Sequence, residues 1–143
     1  MVLLDTNLLI YACNTASPFH KKAKEIKEQA VDGKIEAAIA LQSLSEYLAV
    51  TTSARRVEKP LSVAEAVDDV RHFLEAAQIR KLPITEITAK HLSTLVNKYR
   101  IKAQAIFDAQ IVAVMFENEI SEIWTANVGD FSIFKGISVV NPF

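Results

Sequence analysis

The sequence predicts an α/β domain with a central parallel sheet and helices on both faces. Short apolar runs alternate with longer segments of helical period, the crossover pattern that neighbouring parallel strands require. Glycine is scarce, at three residues in 143, which argues against an all-β fold built on many tight turns. The length suits one domain, residues 1–143, and no repeat, low-complexity tract or interdomain linker divides it.

Val2-Leu3-Leu4 opens the chain as a short buried strand ending at Asp5. After Ser17-Pro18, Phe19, Ala23, Ile26 and Ala30 recur at helical spacing while Lys21, Lys24, Glu25 and Glu28 take the other face; Asp32-Gly33 closes this helix. Ile35–Ala40 is the second strand, followed by a helix over Ser43–Thr51 that carries Glu46. Ser62 opens the next helix with Glu65 three residues on, a capping box, and Val63, Ala66, Val67, Val70, Phe73, Leu74 and Ala77 form its apolar stripe. Leu82-Pro83-Ile84 reads as a strand that its proline pushes to a sheet edge. Leu92, Leu95, Val96 and Tyr99 mark a further helix, Arg100-Ile101-Lys102 is a basic link, and Ala103–Phe116 is a helix apolar nearly all round, which places it centrally. Glu122–Thr125 and Ile137–Val140 complete the set of strands.

Half the residues are hydrophobic and 23% are charged, which excludes disordered and fibrous classes. Sixteen Lys and Arg face seventeen Asp and Glu, so no overall basic field draws the chain to nucleic acid or to an anionic membrane. Such binding requires a local patch. Cys13, the single cysteine, forms no internal disulfide, and the first residues carry no basic leader, so the expected location is cytoplasmic. Asp5, Thr6 and Asn7 interrupt the apolar run Val2–Ile10, and Ala109–Phe116 is too short to span a bilayer.

In a parallel sheet, ligands gather beyond the carboxyl ends of the strands, and this chain puts acids there. Asp5 directly follows the first strand; it serves equally well as a cap for a Leu8–Ala12 turn. Asp108 shares a helix face with Ile111, Val112 and Met115, so it needs a partner such as Lys102 or Arg100, a proton, or a metal. Glu46 interrupts Leu44, Tyr47, Leu48 and Val50, and in isolation reads as a solvated helix residue. Thr125, Asn127 and Asp130 cluster after the Ile-Trp strand, in a loop that Phe131 is placed to anchor.

Carboxylates with amide and hydroxyl oxygens suit a hard cation, Mg²⁺ or Mn²⁺, and disfavour zinc. His20, His72 and His91 lie on amphipathic helices without paired spacing, and no Ser-His-Asp set, glycine-rich phosphate loop or Cys-x-x-Cys is present. Two short basic segments, Arg55, Arg56 and Lys59, and Lys98, Arg100 and Lys102, are candidates to hold a phosphate backbone, or are solvated linkers.

These residues resemble the PIN-domain ribonucleases, in particular the VapC-type toxins of prokaryotic toxin–antitoxin pairs. The matching pieces are Val2-Leu3-Leu4-Asp5-Thr6-Asn7, Ser43-Leu44-Ser45-Glu46-Tyr47, Ile106-Phe107-Asp108-Ala109-Gln110-Ile111-Val112-Ala113, Thr125-Ala126-Asn127-Val128-Gly129-Asp130-Phe131 and Asn141-Pro142-Phe143. They stand in the family's order from one end of the chain to the other. The resemblance implies a PIN-like three-layer α/β/α sandwich that binds Mg²⁺ or Mn²⁺ and cuts single-stranded or looped RNA. Asp5, Glu46 and Asp108 match the family's three regular acids. Asp130 matches a fourth, with Asn127 as the alternative.

The family often has a glycine before the fourth strand, where this chain reads Glu117-Asn118-Glu119. The resemblance further implies metal-activated water as nucleophile, 5′-phosphate and 3′-hydroxyl products, Thr125 and Asn127 as orienting groups, a small antitoxin partner and a homodimer. Ser43–Arg56 and Val63–Ala77 are candidate dimer surfaces. The rivals are a non-catalytic Mg²⁺-binding phosphorylation switch, in which Lys135 would have to reach back to the acids, a protein-interaction module, and a flap-DNA 5′-nuclease-like enzyme.

Overall fold

The computed structural model describes residues 1–143. Strands β1 (Val2–Leu4), β2 (Ala37–Ala40), β3 (Ile79–Leu82), β4 (Glu122–Trp124) and β5 (Ser138–Val140) form one sheet, parallel throughout, in the order β3-β2-β1-β4-β5. Between them run helices α1 (Thr6–Cys13), α2 (His20–Val31), α3 (Leu41–Thr51), α4 (Val63–Glu75), α5 (Glu86–Tyr99), α6 (Ala105–Glu117) and α7 (Val128–Phe131).

Side chains alternate across the strands and build two cores. Leu3, Ala38, Ala40 and Ile123 pack against α5, α6 and α7 through Leu95, the buried run Ile111–Met115 and Phe131. Val2, Leu4, Ala37, Ile39 and Ile79 pack against α1 to α4 through Leu8, Leu9, Ile26, Tyr47 and Phe73. The result is the three-layer α/β/α sandwich, with α6 central as its all-round apolar composition predicts.

Strand order reverses between β1 and β4, where Leu3 pairs with Ile123 and Leu4 with Trp124. Chain leaves both strands in opposite lateral directions, which opens a crevice at their carboxyl ends.

Several boundaries differ from the sequence reading. The third strand lies earlier than Leu82-Pro83-Ile84: it is Ile-Arg-Lys-Leu, with Ile79 and Leu82 buried and Arg80 in solvent. Its edge position holds, and Pro83, with no N–H to donate, follows its last residue. The turn after Asp5 is a full helix, α1. The loop after β4 contains the short helix α7, and Phe131 anchors it by burial.

The α4 stripe is split. Ala66 and Phe73 enter the core, whereas Val63, Val67 and Leu74 stand 70%, 52% and 51% exposed. The α3 stripe is absorbed, with Leu44, Tyr47 and Val50 buried and the Tyr47 hydroxyl donating to Asp69 Oδ2 at 2.6 Å. The capping box at Ser62 and Glu65 forms in both directions, and the bonds from Ser62 hold the Glu65 carboxyl below its usual range. At the glycine-less turn before β4, Glu119 takes the left-handed conformation itself, at φ 56°.

Candidate functional site

Asp5 is 5% exposed and is the N-cap of α1, as the capping reading of the sequence expects. Its Oδ1 accepts from Thr6 N at 2.7 Å; its Oδ2 accepts from Asn7 Nδ2 at 2.6 Å and from Thr125 Oγ1 at 2.7 Å. The Thr125 hydroxyl in turn accepts from Asn7 Nδ2 at 2.9 Å and from Asn127 N at 2.9 Å. One donor and two acceptor positions exhaust that hydroxyl, so Thr125 is locked. Asn7 also accepts from Ala126 N at 3.3 Å, stitching the start of α1 to the segment after β4.

Three of the roughly four lone-pair positions on the Asp5 carboxylate are thus used, which leaves one on Oδ1. Burial, with the charges of Glu46 and Asp108, pushes the Asp5 pKa from 3.8 up to about 6 against the lowering effect of the Thr125 and Thr6 bonds.

Asp108 sits in the first turn of α6, half-buried at the open end of a face on which Ile111, Val112 and Met115 are buried. Burial first, then the charges of Asp130 and Glu46, raise its pKa to about 6. Glu46 projects from the second turn of α3 and Asp130 from α7, both exposed. Asp5, Glu46, Asp108 and Asn127 line one cavity of about 230 Å³ at the strand ends. Glu46, Asp108 and Asp130 line an adjoining one of about 790 Å³, and Thr125 stands behind Asp5.

None of the four acids has an ion-pair partner. A lysine or arginine partner for Asp108 is therefore absent: Arg100 and Lys102 lie instead in a separate surface depression with Asn97 and Ser93. The other basic segment does reach the site, since Arg56 lines both cavities. No three His, Cys, Asp or Glu side chains stand close enough to share one ion as placed. Asp5 is pinned by its hydrogen bonds, while Glu46 and Asp130 are exposed and unpaired.

The donor set fits Mg²⁺ or Mn²⁺ on chemistry: carboxylate oxygens, with Thr6 lining the same cavity and its Oγ1 buried without a hydrogen-bond partner. Thr6 and Asn7, which line the smaller cavity, are residues to which the sequence gave no separate role, whereas Arg56 comes from one of the two basic segments it singled out. The sequence signal for Asn7 was its place in a polar triplet interrupting an apolar run.

Fold and site together define a class: a parallel α/β/α domain with unpaired acids at its topological switch point. The chain belongs to the PIN domain family, whose model matches residues 2–134. It is 27% identical over 139 residues to Ribonuclease VapC48 of Mycobacterium tuberculosis, covering 97% of this chain and 95% of that one. It is 28% identical over 145 residues to Ribonuclease VapC33 of the same organism, with 99% and 98% covered.

Among solved structures, Mycobacterium tuberculosis VapC20, a Sarcin-Ricin loop cleaving toxin, superposes with a TM-score of 0.71 at 19% identity, covering 99% of this chain and 100% of that one. VapBC2 from Rickettsia felis, bound to a DNA fragment from its promoter, gives 0.68 at 16% identity, with 99% and 98% covered. These structures share the fold. No helix is long and apolar enough to cross a membrane.

Proposed function

We propose that this protein is a Mg²⁺- or Mn²⁺-dependent endoribonuclease and the toxin of a type II toxin–antitoxin pair. The observation that carries the reading is the gathering of four carboxylates from four separate elements at the sheet's switch point without an ion-pair partner among them. Uncompensated negative charge of that density is costly, and a divalent cation removes the cost. The family and the ribonuclease names of its relatives support the choice of RNA as substrate.

Asp5 and Asp108 would hold the cation. Glu46 is a further ligand or positions the attacking water, and Asp130 extends the ligand set from the opposite wall. Thr125 and Asn7 keep the Asp5 carboxylate aimed, and Asn127 anchors the segment after β4 through its N–H to Thr125. Held there, a divalent cation would supply Lewis-acid stabilisation of the phosphodiester and a lowered pKa for water. The products carry 5′-phosphate and 3′-hydroxyl ends.

Strand order weighs against the phosphorylation-switch rival. Receiver-type sheets run 2-1-3-4-5, and this one runs 3-2-1-4-5. The partner is an antitoxin that covers the crevice, as the toxin–antitoxin titles of neighbouring structures support. The exposed apolar face of α4, Val63, Val67 and Leu74, is the surface we assign to a homodimer.

Purified protein with Mn²⁺ and structured RNA tests the activity. Wild type is expected to cut, and Asp5→Asn and Asp108→Asn are each expected to cut at less than about one hundredth of its rate, since loss of a supporting group alone costs 10–100-fold in comparable metal sites. Equal cleavage by wild type and both variants would remove the proposed centre.

A further inference from the structure

The larger cavity extends past the acids into a space they do not use. Beyond Glu46 and Asp108 it is walled by Phe107, Ile84, Gln42, Gln104 and Gln110. Phe107, one residue before Asp108, is 57% exposed. Its backbone is tied down, because Gln42 Nε2 of α3 donates to the Phe107 carbonyl at 3.2 Å. Gln104, exposed, and Gln110, half-buried, stand three residues to either side and line the same cavity. A flat apolar ring therefore stands fixed at its base, open to solvent and surrounded by amides.

Arg56 lines both this cavity and the smaller one at Asp5, and forms no ion pair despite the acids nearby. It is the one cation at the junction of the two spaces. A guanidinium there has its donors free for an anion that sits between metal centre and cavity.

Resting on the endoribonuclease reading above, we propose that this cavity is a nucleotide subsite: the unpaired base next to the cut stacks on Phe107, and Arg56 holds the phosphate that joins it to the reacting one. Four observations support a nucleotide as the occupant. The cavity is continuous with the acid centre through Glu46 and Asp108, so a chain bound there passes directly through the site.

Only four of its twelve lining residues are hydrophobic, whereas a groove for an apolar helix would be apolar along its length. The mixture of one aromatic ring with several amides matches a base, which offers a π-face and polar edges together. About 790 Å³ falls within the roughly 300–1,000 Å³ range of pockets that engulf small ligands. The subsite makes cleavage selective for an unstacked nucleotide, since a paired base cannot leave its neighbours to reach the ring.

The test uses an RNA hairpin pool with a randomised loop, Mn²⁺, and sequencing of the cut ends for wild type, Phe107→Ala, Phe107→Tyr and Arg56→Ala. Phe107→Ala is expected to raise KM about tenfold, more than it lowers kcat, and to flatten the nucleotide preference beside the cut. Phe107→Tyr is expected to restore both. Arg56→Ala is expected to raise KM and to reduce the salt dependence of RNA binding by about 0.7 in the log–log slope, the loss of one phosphate contact on a single strand.

Phe107→Ala with wild-type KM and cut pattern overturns the subsite while leaving the nuclease standing. If that variant also escapes inhibition by a co-expressed partner protein, the cavity belongs to the protein partner instead. A wild-type enzyme that cuts no member of the pool overturns the nuclease reading and the subsite with it.

Discussion

The two walls of the crevice are built on opposite principles. On the β1–β4 wall, Asp5 is buried and receives three hydrogen bonds, from Thr6 and Asn7 in the first turn of α1 and from Thr125, which the sheet register brings beside it. On the helical wall, Glu46 and Asp130 are exposed, Asp108 is half-buried, and none of the three carboxylates has a hydrogen-bond or ion-pair partner. The first wall defines a position, and the second supplies charge that can move to meet it. In the proposed metal centre, Asp5 would be the preorganised ligand and the other three the adjustable ones.

Substitutions on the two walls should accordingly differ in kind. After loss of Asp5 or Asp108 itself, the largest effect is expected from Thr125→Val, which removes the hydroxyl that both fixes and satisfies Asp5. Metal affinity should fall about 10–100-fold and stability by about 1–3 kcal/mol, read by Mn²⁺ titration and by denaturant unfolding. Asp130→Asn, on the adjustable wall, is expected to lower affinity less and to leave stability within about 0.5 kcal/mol. Equal losses of stability in the two variants would erase the distinction between the walls.

A smaller effect follows from protonation. In the metal-free fold Asp5 and Asp108 hold their protons up to about pH 6, against 3.8 for the ordinary side chain. Between those values the folded state binds more protons than the unfolded one, so these two groups make stability fall as pH rises toward 7. With EDTA present, Tm should therefore drop between about pH 4 and 6, and Asp108→Asn should flatten the drop. With saturating Mn²⁺ the slope should reverse, because the cation needs deprotonated oxygens.

The smallest change is expected far from the crevice. Glu119→Gly relieves a left-handed residue at φ 56° and should gain up to about 1 kcal/mol in denaturant unfolding, with RNA cleavage as in wild type.

What could be read from the chain beforehand divides along similar lines. The capping box at Ser62, the amphipathic α2 and the central α6 were legible because each signal is local and repeats within a few residues. The third strand was misplaced because Ile79-Arg80-Lys81-Leu82 carries two cations, tolerable only on an edge strand with one flank in solvent, while Leu-Pro-Ile looked more apolar. α1 read as a turn because it has only eight residues and directly follows the polar triplet.

The acids were legible as interruptions of apolar patterns. The role of Asn7 was not, since its bonds to Thr125 and Ala126 exist only once β1 and β4 lie side by side. The same holds for Arg56: its sequence marks it as one of two basic segments, and only the packing of the crevice separates it from Arg100 and Lys102.

The claim that a cation joins the two walls is tested most directly by calorimetric titration of Mn²⁺ into metal-free wild type, Asp5→Asn and Asp108→Asn at pH 7.5. The account predicts saturable binding by wild type and its loss in each variant, because each removes a ligand from a different wall. Binding of equal strength in all three proteins, or none in wild type, would contradict it.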